Sequence, residues 1–264
     1  MMLPMDRDLR RQVVTGLTYL VTVSVNGLAV LLPLNGLTTA QISDRFPVLV
    51  VPASYVFSVW SVIYLLLAAF TVYQALPALR EDAILRRLGY LPALSGLLNT
   101  AWVVLWHFEI FALTVPVMLL LLVTLILIHR RTAEARATGG ARRWLVALPF
   151  AVYLGWISVA TIANISQMLY WAGFRGGPLS EEAWALAALA LGAAIAAAVL
   201  LRAGDWAYGL VVMWAYVGIA VKQEPLLVVA TALLGTLVVG GLITDRVRRG
   251  RRAGTGPPAS PSPA

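Results

Sequence analysis

Residues 52–77 read PASYVFSVWSVIYLLLAAFTVYQALP, and the stretch carries no charged residue between its two prolines. About 20 apolar residues in a helix cross a bilayer core of ~30 Å, so the stretch predicts a membrane-spanning helix. Phe57, Trp60 and Tyr64 are three and four positions apart and therefore share one helical face. These rings either pack between neighbouring helices or line a pocket, and the stretch alone leaves both interpretations open.

The composition of the whole chain indicates an all-α, polytopic membrane protein. Of its 264 residues, 60% are hydrophobic and 12% are charged, whereas soluble domains carry roughly 25% charged residues. The net charge of +8 comes from short clusters between apolar runs, a pattern that sets membrane topology, so no nucleic-acid partner is expected. Cysteine is absent, which excludes disulfides and thiolate metal sites. His107 and His129 lie in different segments without metal-ligand spacing, so no metal site is predicted.

The apolar runs predict eight membrane spans. They cover approximately residues 13–34, 52–77, 89–107, 111–129, 144–171, 182–201, 206–221 and 225–244. The run that follows the basic start is too long for a signal peptide, so it is interpreted as the first span. With eight spans, 17 of the 20 Lys and Arg residues lie on the side of both termini. Because cytoplasmic loops are enriched in basic residues, we expect both termini in the cytoplasm and the chain in the bacterial cytoplasmic membrane.

Composition also divides the chain into four parts. We expect a polar cytoplasmic head over residues 1–12, a five-helix membrane domain over 13–172, a three-helix segment over 173–250 and a disordered, low-complexity cytoplasmic tail over 251–264. The glycine-rich stretch 173–178 marks the break between the two membrane parts. Helices 6 to 8 are rich in small residues, which suits close helix packing. We expect these three helices to pack on the outside of the five-helix unit as an accessory layer.

Two later spans place aromatic rings and amide side chains on single faces. The stripe in helix 3 comprises Ser95, Asn99, Trp102 and Trp106, and the stripe in helix 5 comprises Tyr153, Trp156, Ala160, Asn164 and Gln167. An amide in hydrocarbon needs a hydrogen bond from another helix or from a ligand. Asn26 in helix 1 needs a partner for the same reason. The stripes therefore indicate either interhelical hydrogen bonds with tryptophan as filler, or an aromatic pocket for a flat or elongated apolar ligand.

Three segments carry a family resemblance. PASYVFSVWSVIY, NTAW and PFAVYLGWISVATIAN, in this order, are similar to signatures of the tryptophan-rich sensory protein, or translocator protein, family (TspO/MBR). The resemblance covers about residues 13–171. It implies a five-helix bundle whose pocket, beneath the loop between helices 1 and 2, binds porphyrins, sterol-like lipids and related aromatic ligands. It also implies a homodimer. The chain departs from the family pattern at Tyr55, where Trp is usual, and at Val103 and Val104, where polar residues or proline are usual.

The hypothesis that follows is a TspO-like membrane protein that binds a tetrapyrrole or a sterol-like lipid and acts as a sensor, a regulator or a carrier. No cofactor is required, and a porphyrin, a heme or a membrane lipid is the expected bound molecule. The candidate ligand-binding residues are Tyr55, Phe57, Trp60, Tyr64, Asn99, Trp102, Trp156, Ala160 and Asn164.

Two further hypotheses belong to other classes. A secondary transporter of a small hydrophobic or amphipathic solute would suit eight helices, although no acidic residue falls at mid-depth. Glu109, Asp205 and Glu224 fall at predicted helix ends, where we interpret them as interfacial charges in water. A membrane enzyme acting on the ligand is not expected, because the sequence offers no acid–base pair or metal cluster.

Overall fold

The computed structural model describes residues 6–32 and 34–254, with side chains described through residue 249, and this part of the chain is helical without strands. Eight long helices form the bundle. They are α1 (Arg7–Leu31), α2 (Val59–Ala75), α3 (Leu91–His107), α4 (Phe111–Arg131), α5 (Leu148–Trp171), α6 (Glu181–Ala203), α7 (Trp206–Lys222) and α8 (Leu226–Gly254). The expected all-helical membrane bundle is thereby confirmed.

Short helical segments lie at the two ends of the bundle. They are Leu34–Gly36, Thr39–Asp44, Ser54–Ser58, Pro77–Leu79, Ala83–Leu88, Ala133–Thr138, Gly140–Arg142 and the π-helical turn Arg143–Ala147. The segment Thr39–Asp44, here named the loop helix, starts with a capping box in which the Thr38 hydroxyl accepts from the Gln41 backbone N–H. This cap makes the loop between α1 and α2 an ordered element that packs on the bundle.

Within residues 6–32 and 34–254, six helical stretches are long and apolar enough to cross a membrane. Helices α3 and α7 have 17 residues each and are too short to be counted among them. Seventeen residues is the lower end of the range for a transmembrane helix. The count of eight spans therefore stays a prediction.

The ends of the bundle extend beyond the predicted spans. The first helix begins at Arg7, where the Asp6 carboxylate accepts from the Asp8 N–H. Its first turns are anchored because Gln12 donates to the Gln74 carbonyl at 2.6 Å. The last helix continues to Gly254, so it enters the predicted tail. Residues 1–5 of the predicted head and residues 255–264 of the predicted tail lie outside the described residues.

Helix α5 is the central element of the bundle. In its most apolar window 72% of the residues are buried, against 22–39% in the other five candidate spans. One side of α5 contacts α2 and α4, and the other side contacts α6 and α7. At Gly155 the α7 backbone comes so close that an added Cβ would lie 2.9 Å from the Tyr208 carbonyl oxygen. The glycine thus permits the close approach of α5 and α7.

Candidate ligand-binding site

A small cavity of about 30 Å³ lies between α2, α3, α5 and the loop helix. Five aromatic side chains line it, namely Phe57, Trp60, Trp102, Trp106 and Trp156. We name it the aromatic cavity. The loop helix belongs to the connection between α1 and α2, which the arginine distribution predicts to be external. The cavity therefore lies toward the predicted external end of the bundle.

The rings of the aromatic cavity contact one another in the geometries that aromatic pairs prefer. The Trp156 ring lies edge-on to Trp60 and to Phe57, with centroids 6.1 and 5.6 Å apart. Trp102 stacks on Trp106 with centroids 5.4 Å apart and an interplanar angle of 16°. The cavity is therefore lined by two groups of contacting rings, one around Trp156 and one formed by Trp102 and Trp106.

Three polar atoms of the cavity-lining residues have no hydrogen-bond partner among the described residues. They are the indole Nε1 of Trp102, the indole Nε1 of Trp156 and the Oδ1 of Asn164. The Asn164 side chain is oriented by its other end, because its Nδ2 donates to the Thr114 hydroxyl at 2.9 Å. A buried polar group without a partner costs roughly 1–3 kcal/mol. Two donors and one acceptor of the lining residues thus have no partner in the described part of the protein.

The loop helix covers the outer end of the aromatic cavity. Its Thr39 carbonyl accepts from the Trp106 indole at 3.2 Å. The Gln167 amide donates to the Ser43 hydroxyl at 2.7 Å and to the Ser43 carbonyl at 3.2 Å. These hydrogen bonds connect the loop helix to α3 and α5, so the cavity is closed by side chains that also form its wall.

Ion pairs at the rim strengthen this cover. Asp44, at the end of the loop helix, accepts from Ser54 and pairs with Lys222 of α7. The next residue, Arg45, pairs with Glu109, and this carboxylate raises the pKa of the Arg45 guanidinium. All of these charges lie at the bundle end, where water screens them, so each pair is expected to contribute little alone.

Six of the nine predicted site residues line the aromatic cavity. They are Phe57, Trp60, Trp102, Trp156, Ala160 and Asn164. Tyr64 lies next to the wall, where its ring stacks on Trp60 with centroids 5.5 Å apart. Tyr55 lies elsewhere: its side chain is 45% exposed, and its ring contacts Trp214 of α7.

Asn99 is fully buried but serves an interhelical contact. Its Oδ1 accepts from the Asn26 amide at 2.8 Å and from the Tyr64 hydroxyl at 3.4 Å. Asn26 also donates to the Thr22 carbonyl. The expectation that Asn26 needs a partner is thus met by Asn99, and the two amides connect α1 to α3. Asn99 still has an Nδ2 without a partner among the described side chains.

Other lining residues were outside the predicted set. Trp106 and Gln167 belong to the two aromatic and amide stripes, and their position on the same faces was the signal that could have included them. Thr39 and Ser43 lie in the loop helix and have no periodic pattern to reveal them.

A second, larger cleft of about 330 Å³ lies beside α5 on its α6 side. Its lining is mostly apolar and includes Leu169, Tyr170, Phe174 and Trp184. The Trp184 indole donates to the Gly176 carbonyl at 2.7 Å. This apolar cleft contains no residue of the predicted site.

Asp205 departs from its expected environment. Its side chain is 5% exposed, and its Oδ2 lies 2.9 Å from Nε2 of His129. The interpretation of Asp205 as an interfacial charge in water is therefore wrong, because its carboxylate is buried and has His129 and Arg136 as partners.

The fold and the cavity together define a class: an all-helical integral membrane protein with an aromatic cavity beneath an ordered loop between its first two spans. A model of the TSPO-like protein family matches residues 12–244. The chain therefore belongs to the TSPO-like protein family, as its resemblance implied. The match continues past residue 171 and includes α6, α7 and most of α8. No curated protein and no solved structure gives a significant match.

Proposed function

We propose that this protein binds a flat, mostly apolar molecule, of the tetrapyrrole or sterol-like class, in the aromatic cavity, and that it acts as a sensor, a regulator or a carrier. The observation that carries the proposal is the combination of aromatic rings with three unpartnered polar atoms among the residues that line the cavity. Protein interiors rarely leave such atoms without partners. A ligand with acceptor and donor groups at its edge would satisfy them, while its face would contact the rings.

The size of the cavity implies that it opens for such a ligand. About 30 Å³ is room for one or two water molecules, whereas pockets for small organic ligands measure roughly 300–1,000 Å³. Opening would require the loop helix to move away from α3 and α5, which breaks its hydrogen bonds with Trp106 and Gln167. We infer that ligand binding replaces these contacts.

The apolar cleft is the observation that favours the alternative, a transporter of a small hydrophobic or amphipathic solute. Its volume of about 330 Å³ already suits such a solute. In that case the ligand would contact α5 from its α6 side, and Trp184 would be the nearest ring with an N–H group.

The test is a titration of the purified full-length protein with protoporphyrin, followed by the quenching of tryptophan fluorescence. Trp156→Phe keeps an aromatic ring but removes the indole donor, and Asn164→Ala removes the acceptor. Each variant should raise the dissociation constant about two- to tenfold, because a hydrogen bond contributes about 0.5–1.5 kcal/mol. Trp184→Phe is the matched control, because it removes a tryptophan outside the aromatic cavity.

The outcomes separate the two sites. Weaker binding in Trp156→Phe and Asn164→Ala, with unchanged binding in Trp184→Phe, supports the aromatic cavity. The reverse result assigns the ligand to the apolar cleft and favours the transporter. Thermal unfolding of each variant must match that of the unmodified protein, because a smaller ring also leaves a gap in the wall.

A further inference from the structure

A cavity of about 490 Å³ lies at the opposite end of the bundle from the aromatic cavity. It is formed where α4 and α6 end and where α5 and α7 begin, and the helix Ala133–Thr138 lies at its edge. Arg130, Arg136, Arg143 and Arg202 line it together with Trp144 and Asp205. We name it the basic cavity.

The charges of the basic cavity do not balance. Asp205 is the one carboxylate among its lining residues, and it is already engaged with His129 at 2.9 Å and with the Nε of Arg136 at 3.8 Å. Arg136 also donates to the His129 carbonyl and to the Thr132 hydroxyl, so its guanidinium belongs to the wall. Four arginines therefore face one carboxylate that is not available to three of them.

Arg130, Arg143 and Arg202 have no ion pair in residues 6–32 and 34–249, which contain all 12 Asp and Glu side chains of the sequence. At the other end of the bundle, Arg45 pairs with Glu109 and Lys222 pairs with Asp44, while Arg175 donates to the carbonyls of Tyr170 and Phe174. The basic cavity is thus the place where cations converge on an open space without a protein counter-charge.

The surroundings indicate an amphipathic anion. Trp144 is 51% exposed, and its ring lies edge-on to Trp206 with centroids 6.2 Å apart. Tryptophan is enriched at the level of lipid headgroups. The inner wall, at Ala147, Leu148 and Ala151, is apolar. An anion with an apolar continuation therefore meets arginines at the mouth and hydrocarbon surface farther in.

We propose that the basic cavity binds the phosphate of an anionic phospholipid, with Arg130, Arg143 and Arg202 as its ligands and the apolar wall beside the glycerol and the first acyl carbons. Basic pockets between transmembrane helices recognise such headgroups, and each nearby Lys or Arg contributes attraction. The proposal needs only that this end of the bundle lies at a bilayer surface, and it is independent of the aromatic cavity.

The experiment counts bound lipids by native mass spectrometry of the full-length protein in detergent. The probes are short-chain phosphatidylglycerol, phosphatidylcholine with the same chains, and inorganic phosphate. The double variant Arg143→Gln, Arg202→Gln tests the cavity, because both residues line it. Both side chains are exposed and form no ion pair, so their loss should not affect folding. Arg7→Gln with Arg248→Gln is the matched control, since both are exposed arginines at the same bundle end outside the cavity.

We expect phosphatidylglycerol to bind more tightly than phosphatidylcholine. The cavity variant should weaken phosphatidylglycerol binding roughly thirtyfold, because each arginine contributes about fivefold and the two factors multiply. The control variant should bind as the unmodified protein does. The single variant Arg202→Gln, with an expected loss of about fivefold, replaces the double variant if the latter aggregates.

A second variant fills the open space of the basic cavity without changing its charges. Ala137→Trp places a large ring into the open space while all arginines remain, and it should also weaken phosphatidylglycerol binding. Normal binding in this variant, equal binding of the two lipids, or equal loss in the control variant would each overturn the proposal. Binding of inorganic phosphate as tight as that of phosphatidylglycerol would assign the site to a soluble phosphate compound instead.

Discussion

The two ends of the bundle differ in cavity volume and in whether their polar side chains have partners within the protein. The aromatic cavity measures about 30 Å³ and is closed by hydrogen bonds from Trp106 and Gln167 to the loop helix. The basic cavity measures about 490 Å³ and contains arginines without protein counter-charges. The difference indicates that a neutral polar group inside the bundle needs a hydrogen-bond partner in the protein or in a ligand. Charges at the bundle end can remain unpaired, because water and headgroups solvate them.

Asp205 is the exception at the basic end, because it is buried. Asp205→Ala would leave the guanidinium of Arg136 and the ring of His129 in the wall without their carboxylate. Breaking a buried charged pair costs about 3–5 kcal/mol, so we expect this variant to show the largest loss of stability. Thermal unfolding in detergent would measure it.

Asp245→Ala is the control for this prediction, because Asp245 forms an exposed pair with Arg249 on α8. It should change the unfolding temperature little. Equal unfolding temperatures for the two variants would contradict the structural role of Asp205.

Gln167 attaches the loop helix to α5 and so helps to close the aromatic cavity. Gln167→Leu removes both hydrogen bonds to Ser43. The Ser43 carbonyl still accepts from the Phe46 N–H at 3.3 Å, but the buried Ser43 hydroxyl oxygen loses its donor, at a cost of about 1–3 kcal/mol. We expect faster hydrogen exchange over residues 39–44 than in the unmodified protein. Ser166→Ala, which affects a hydroxyl bonded only within α5, is the control. Unchanged exchange in Gln167→Leu would show that the loop helix is held by other contacts.

A variant of Asn99 tests whether this residue serves a contact between helices or a contact with the ligand. Asn99→Leu removes the hydrogen bond with Asn26, and such bonds in membrane proteins contribute about 0.6 kcal/mol on average. We expect a small loss of thermal stability with little change in protoporphyrin affinity, since Asn99 is not among the residues that line the aromatic cavity. A large loss of affinity at normal stability would instead place Asn99 in the binding site.

Tyr55 should have the smallest effect on ligand binding. Its ring contacts Trp214 and not the aromatic cavity, so Tyr55→Ala should leave protoporphyrin affinity unchanged. Trp60→Ala, on the same stretch of chain, should weaken binding because it removes part of the wall. The two dissociation constants, measured side by side, check this comparison, and equal losses would contradict it.

Much of the fold and of the aromatic cavity could be predicted from local patterns. The three- and four-residue spacing of Phe57, Trp60 and Tyr64 predicted one face, and Phe57 and Trp60 do line the cavity. The stripe on α5 predicted Trp156, Ala160 and Asn164 correctly as neighbours. Tyr55 and Phe57 both lie in the 3₁₀ turn Ser54–Ser58 that precedes α2, but Phe57 lines the aromatic cavity whereas the Tyr55 ring contacts Trp214 of α7.

The sequence by itself determined the helices, the membrane class and the family, because apolar run length and helical periodicity are properties of neighbouring residues. Only the tertiary structure decided which polar groups become partners: Asp205 lies 76 positions from His129, and Ser43 lies 124 positions from Gln167. These pairings depend on the distances between helices, which close approaches such as that at Gly155 set. The same distances decide that one end of the bundle is closed and the other open, because cavity volume is what remains after helices have packed.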